Sequence, residues 1–127
     1  MSDPIRIVLV EDNQVFREAL ELLLGLRPDV EVVASVGDGT EAVPACKAYE
    51  PDVVLMYYQL PGLDGVQATL AVRAACPDTA DVCLTASANA TEMEALREAG
   101  AVACLTKDQE LDTIVEALRT AALAARS

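Results

Sequence analysis

The chain is 127 residues long, the size of one ordinary domain: enough to bury a single sizeable core and too little for a second. Nine basic against twenty-one acidic side chains leave a formal net charge of −12, which repels a phosphate backbone, so the domain is not expected to bind DNA by itself. Just over half of the residues are hydrophobic, but they fall in short runs between charged and turn residues, which excludes a membrane-spanning helix.

In chain order, IRIVLV at 5–10 reads as a first strand. A helix over 14–26 follows, with Phe16, Leu20, Leu23 and Leu24 on one face and Gly25 and Pro28 marking its end. VEVVASV at 30–36, DVVLM at 52–56, DVCLT at 81–85 and AVACL at 101–105 are further strands. Helical stretches separate them at about 39–48, 65–75 and 90–99, and a last helix at about 109–124 spaces Leu111, Ile114, Val115, Leu118 and Ala122 on one side. The strands are near-continuous in Val, Leu and Ile instead of alternating, as expected where both faces of a parallel sheet are covered by helices. Strands alternating with helices imply right-handed βαβ units, so the fold class is α/β. Residues 1–127 read as one domain, with no linker, low-complexity tract or internal repeat.

The amino terminus, MSDPIRIVLVED, has an acid at Asp3 and no basic leader or small-residue cleavage site, so a cytoplasmic address is expected. The cysteines at 46, 76, 83 and 104 form no CxxC pair, and the chain has no histidine. A structural zinc site is therefore unsupported, and reduced thiols acting as small apolar side chains are expected. The sharper alternative is a redox pair of Cys83 with Cys104.

In an open parallel sheet the working site lies beyond the carboxyl ends of the strands. Glu11 and Asp12 follow the first apolar run, Tyr57 the third, Thr85 and Ala86 the fourth, and Lys107 the fifth. An acidic pair, a hydroxyl and a lysine at one rim are the parts of a site for a divalent cation and a phosphoryl group. The loop EDNQVF lacks the Gly, Ser and Thr that would cradle a flavin phosphate, and no Asp-x-Asp follows any strand. A flavodoxin-like cofactor protein and a phosphatase of similar architecture are thus disfavoured.

Three stretches, VLVEDN at 8–13, DVVLMYYQLPGLDG at 52–65, and LTAS at 84–87 with GAVACLTKD at 100–108, resemble the receiver domain of bacterial response regulators over essentially the whole chain. LTKDQELDTIVEALRTAAL resembles the NarL/LuxR subfamily, which implies a helix-turn-helix output module after Ser127 in a full-length protein. The resemblance implies a flavodoxin-like sandwich with strand order 2-1-3-4-5, Asp12 as principal ligand of Mg2+ with Glu11 beside it, and the Gln59 backbone carbonyl as a further ligand. It also makes Thr85 and Lys107 the phosphoryl-sensing pair.

The sequence departs from that pattern twice. Tyr57 stands where the family carries its phospho-accepting aspartate, and a phenol cannot form the acyl phosphate on which the chemistry depends. Asp52, at the start of its strand, and Asp64, after Pro61-Gly62, are poor substitutes. Losing a carboxylate weakens any Mg2+ site. The Tyr57 ring should fill the phosphoryl pocket or swing across its mouth, its hydroxyl reaching Glu11, Asp12 or Lys107. Lys107 can also pair with Asp12 to offset the acidic cluster. The second departure is Cys104, where receivers usually carry an aromatic relay residue.

The leading expectation is a two-component signalling domain that is not an enzyme. It would take no phosphate at the standard site and act through contacts with a sensor histidine kinase, another signalling protein or a second copy. Candidate surfaces are the fourth helix, fifth strand and fifth helix with Met93, Leu96 and Leu118, or the first and last helices. The alternatives are an ordinary receiver carrying an aspartate-to-tyrosine substitution, and a ligand-sensing pseudo-receiver. DNA would be reached only through an output module.

Overall fold

The computed structural model describes residues 3–57, 65–85 and 90–126. Its elements run β1 (Ile5–Val10), α1 (Gln14–Gly25), β2 (Val30–Val36), a 3-10 turn (Gly39–Glu41), α2 (Ala42–Tyr49) and β3 (Val53–Tyr57). They continue with α3 (Gly65–Ala75), β4 (Ala80–Thr85), α4 (Ala90–Ala99), β5 (Ala103–Thr106) and α5 (Leu111–Arg126). The strands form one parallel five-stranded sheet in the order β2-β1-β3-β4-β5, the flavodoxin-like α/β arrangement expected.

Side chains of successive strand residues point to opposite faces of the sheet, and both faces here are dry. Ile7 and Leu9 of β1, Val53 and Leu55 of β3, and Val82 and Leu84 of β4 pack with Leu20 and Leu24 of α1 and Ile114, Val115 and Leu118 of α5. Their neighbours Val8, Val10, Val54 and Met56 turn the other way, onto Ala45 and Cys46 of α2 and Ala68 and Val72 of α3. Cys83 completes that second layer with Leu96 of α4 and Ala101. Burial on both faces is the physical reason that these strands show no polar alternation.

The local chemistry sets the boundaries. Asn13 is the N-cap of α1, its side chain accepting from the Phe16 amide at 2.9 Å, a contact of about 1 kcal/mol that starts the helix at Gln14. The second helical stretch is two pieces: Asp38 accepts from the Thr40 amide at 2.8 Å and opens a 3-10 turn. Pro44 then sits in the first turn of α2, where no intrahelical N–H is needed. Strand β3 extends through Tyr57, β4 begins at Ala80, and β5 is Ala103–Thr106 instead of 101–105. Leu23 is 45% exposed and leaves the core face of α1 to Phe16, Leu20 and Leu24. Leu96 and Leu118, candidates for a contact surface, are fully buried.

Candidate functional site

The carboxyl ends of β1, β3, β4 and β5 converge on one rim. Glu11 follows β1, and its amide bonds the Val36 carbonyl at the end of β2 at 3.0 Å. Tyr57 closes β3 and pairs in register with Leu84. Thr85, buried, closes β4, and the Lys107 amide donates to its carbonyl at 2.8 Å, tying the start of the β5–α5 turn to the β4 rim. Four of the residues singled out by position alone, Glu11, Tyr57, Thr85 and Lys107, are thus brought to one edge.

Their pairing differs from expectation. Lys107 Nζ lies 2.5 Å from Glu11 Oε1, not on Asp12, which is exposed. The same ammonium stands 3.6 Å from the centroid of the Tyr57 ring and 4.2 Å from that of Phe16. Tyr57 therefore meets the cluster through the face of its ring, in a cation–π contact, instead of through its hydroxyl. The ring packs on the α1/α5 side of the sheet, as does Phe16, because Val53, Leu55 and Tyr57 share one face of β3.

Glu11 is almost completely buried. Burial pushes its carboxyl above the ordinary carboxylate range, while Lys107 pulls it back. The Asn13 amide reaches Glu11 Oε2 at 3.4 Å, and Arg17 donates from α1 to the Glu11 carbonyl at 2.7 Å. Phe16 and Arg17 are contributors that sequence reasoning misses, because helical spacing assigns Phe16 to the core face and Arg17 to the solvated one. The available signal is their place one turn after an acidic pair.

Among the described residues, no three His, Cys, Asp or Glu side chains gather as a metal site, and the buried carboxylate already faces an ammonium. Gln59, Asp64 and Ala86 lie outside the described residues. Asp52 sits at the opposite end of β3, where its Oδ2 accepts from the Arg6 amide at 3.0 Å, as its place in the sequence requires. Cys104 is half-buried in β5, its thiol reaching the Met93 carbonyl at 3.6 Å. All four cysteines are free, Cys83 and Cys104 being register neighbours.

No helix among the described residues is long and apolar enough to cross a membrane. The sequence profile described as Response regulator receiver domain matches residues 7–119. The transcriptional regulatory protein DegU of Brevibacillus brevis is 34% identical over 121 residues, which cover 95% of this chain and 51% of that protein. The nitrate/nitrite response regulator protein NarP of Escherichia coli is 31% identical over 95% of this chain and 56% of its own. The chain thus spans about half the length of the curated relatives it matches. Among solved structures, the signal receiver domain of the putative response regulator NarL from Mycobacterium tuberculosis superposes with a TM-score of 0.90. Its identity is 34%, over 95% of this chain and 98% of that one. A LuxR-family two-component response regulator from Aurantimonas sp. SI85-9A1 gives 0.89 at 30% identity, over 95% and 86% of the two chains. Sheet order, rim and these likenesses agree: the chain belongs to the response regulator receiver domain family, with NarL/LuxR-type relatives.

Proposed function

We propose that this chain is the receiver of a transcription-regulating response regulator in which Tyr57 occupies the phospho-acceptor position. On this reading no phosphoryl group is taken there, and the domain works through protein contacts. The observation that carries it is the Lys107 ammonium held against Glu11 Oε1 at 2.5 Å and over the Tyr57 ring at 3.6 Å. That arrangement supplies, from within the chain, the positive charge that an acidic rim would otherwise take from a divalent cation. It also removes both parts of an acyl-phosphate site at once: the attacking carboxylate is a phenol, and the lysine that would meet phosphate oxygens is already paired. Mg2+ binding at Glu11, Asp12 and Gln59 is accordingly weak, Asp12 remaining its one exposed described carboxylate.

A second reading rests on the same rim. Glu11, Asp12, Thr85 and Lys107 all keep their places at strand ends, as they would in an ordinary receiver changed only at position 57. Incubation with acetyl phosphate and magnesium, read by intact mass, separates the chain from its Tyr57→Asp variant. No added phosphoryl group is expected on the parent and one on the variant. A phosphorylated parent would overturn the proposal. The natural partners on either reading are a sensor histidine kinase, a further signalling protein or a second copy, with DNA reached through an output module and the cytoplasm as the site of action.

A further inference from the structure

A glutamate side chain has several staggered rotamers open to it, yet Glu11 directs its carboxylate at Lys107 from an almost completely buried position. Its backbone is fixed from two sides. The amide donates to the Val36 carbonyl at 3.0 Å, and the carbonyl accepts from Arg17 Nη1 at 2.7 Å. The first bond extends the pairing of β1 with β2 by one residue. The second comes from α1, through a half-buried arginine side chain that reaches back six residues. A hydrogen bond from a guanidinium is charge-assisted and of the stronger kind.

Arg17 has acidic alternatives that it does not take. Glu21 lies four residues on, the spacing at which helix neighbours pair, and Glu18 is next in sequence. Arg17 nevertheless forms no ion pair with a described residue. In a chain of net charge −12, a guanidinium turned to a backbone carbonyl instead points to a positional role.

Gly37, the first residue after β2, explains how the arginine reaches that carbonyl. A β-carbon there would fall 2.7 Å from Arg17 Nη1 and 3.8 Å from the Glu11 carbonyl oxygen, in the path of the guanidinium. The backbone itself does not call for glycine: among the described glycines, only Gly100 has a positive φ. The missing side chain at position 37 is thus room for Arg17. Because the atom in the way is the tip of a flexible side chain, an alanine there would displace the arginine and leave the backbone unstrained.

We propose that Arg17 is a positioning residue of the rim: by holding the Glu11 carbonyl through the gap at Gly37, it aims the Glu11 carboxylate at Lys107 and keeps that ammonium over the Tyr57 and Phe16 rings. The proposal rests on the reading of the rim in which Glu11 and Tyr57 hold Lys107, and it adds what controls the hold. Phe16 and Arg17, adjacent in α1, then act on the two halves of the pair, one on the lysine and one on the glutamate.

Lys47 and Lys107 are the chain's only lysines, and Lys47 is exposed, which makes it an internal reference. Protons over an aromatic face resonate upfield, so in the carbon–proton spectrum of the whole chain the Lys107 ε-methylene signal is expected upfield of that of Lys47. Arg17→Ala and Gly37→Ala should each remove more than half of that displacement. The double variant should remove no more than the larger single effect, since both substitutions undo one contact. Gly100→Ala, strained at φ +123° and lying at the other end of β5 from Lys107, controls for general destabilisation and should leave the signal in place. A parent signal displaced as expected but unmoved in Arg17→Ala would overturn the proposal while the reading of Lys107 stands. Additive effects of the two substitutions, or an equal movement in Gly100→Ala, would overturn it as well. Coincident lysine signals in the parent would overturn the reading of Lys107, and the proposal with it.

Discussion

Replacing Asp81 by asparagine should change how stability depends on pH, and by a predictable amount. Burial pushes the Asp81 carboxyl up to about 7, against a relief from the Cys83 and Thr69 hydrogen bonds. In the unfolded chain the same group titrates near an ordinary value of about 3.9. Between those two values the folded protein holds a proton that the unfolded one has released, so stability falls as pH rises, by about 1.4 kcal/mol per unit. From pH 5 to pH 7 the loss through Asp81 is about 2 kcal/mol, the slope halving as pH reaches the folded value, and above about 7 the curve flattens because both states are ionised. The asparagine side chain keeps the size and an acceptor for the Cys83 thiol, and it does not titrate. Glu11, also raised by burial, tilts both proteins' curves alike and cancels in the difference. The chain has three tyrosines and no tryptophan, so urea unfolding is best followed by far-ultraviolet circular dichroism at pH 5, 6, 7 and 8. Asp81→Asn should gain on the parent by about 2 kcal/mol between pH 5 and 7 and little further beyond. Stability curves that stay parallel across that range would refute the reasoning, since the carboxyl would then not be held protonated by burial.

Three further outcomes follow from named contacts. Lys107→Ala strips the ammonium from nearly buried Glu11, whose folded-state carboxyl then rises further above its unfolded value. The deficit should therefore be larger at pH 8, about 3 kcal/mol, than at pH 5, where Glu11 can be protonated, and an equal deficit at both would contradict the pairing. Gly100→Ala places a β-carbon at φ +123° and 2.6 Å from Arg73 Cδ, which should cost about 1–3 kcal/mol in urea unfolding; no loss would mean that the turn readily rearranges. Burial raises the Cys46 thiol to about 12 and raises Cys83 as well. Both should resist a thiol reagent in the native protein and react in denaturant, with the count unchanged by prior mild oxidant. A fall in that count would revive the Cys83 and Cys104 redox pair.

Much of the architecture is legible in the sequence because burial on both sheet faces writes itself as uninterrupted Val, Leu and Ile. The strand ends are less so. Ala101 and Val102 are as apolar as the strand that follows, yet they belong to the turn after α4, where Val102 is 54% exposed. Glu11, Tyr57, Thr85 and Lys107 are legible by position, since each stands at the carboxyl end of an apolar run. Their partners are not. That Lys107 takes Glu11 instead of Asp12, and lies against two aromatic rings, depends on helix α1 returning Phe16 to the rim, a tertiary contact with no local signature. Asp81 escapes notice in the sequence because DVCLT reads as a strand that opens on a charge. The structure places Ala80 before it in β4, so the charge falls inside a dry segment.

The proposal turns on whether a tyrosine at position 57 keeps phosphoryl chemistry out of the rim formed by Glu11, Thr85 and Lys107. Beryllofluoride with magnesium, added to the parent and to Tyr57→Asp and followed by amide spectra, tests this most directly. The variant is expected to respond around Glu11, Thr85 and Lys107 while the parent stays unchanged. A parent that responds at those residues would contradict the assignment of Tyr57 as the block.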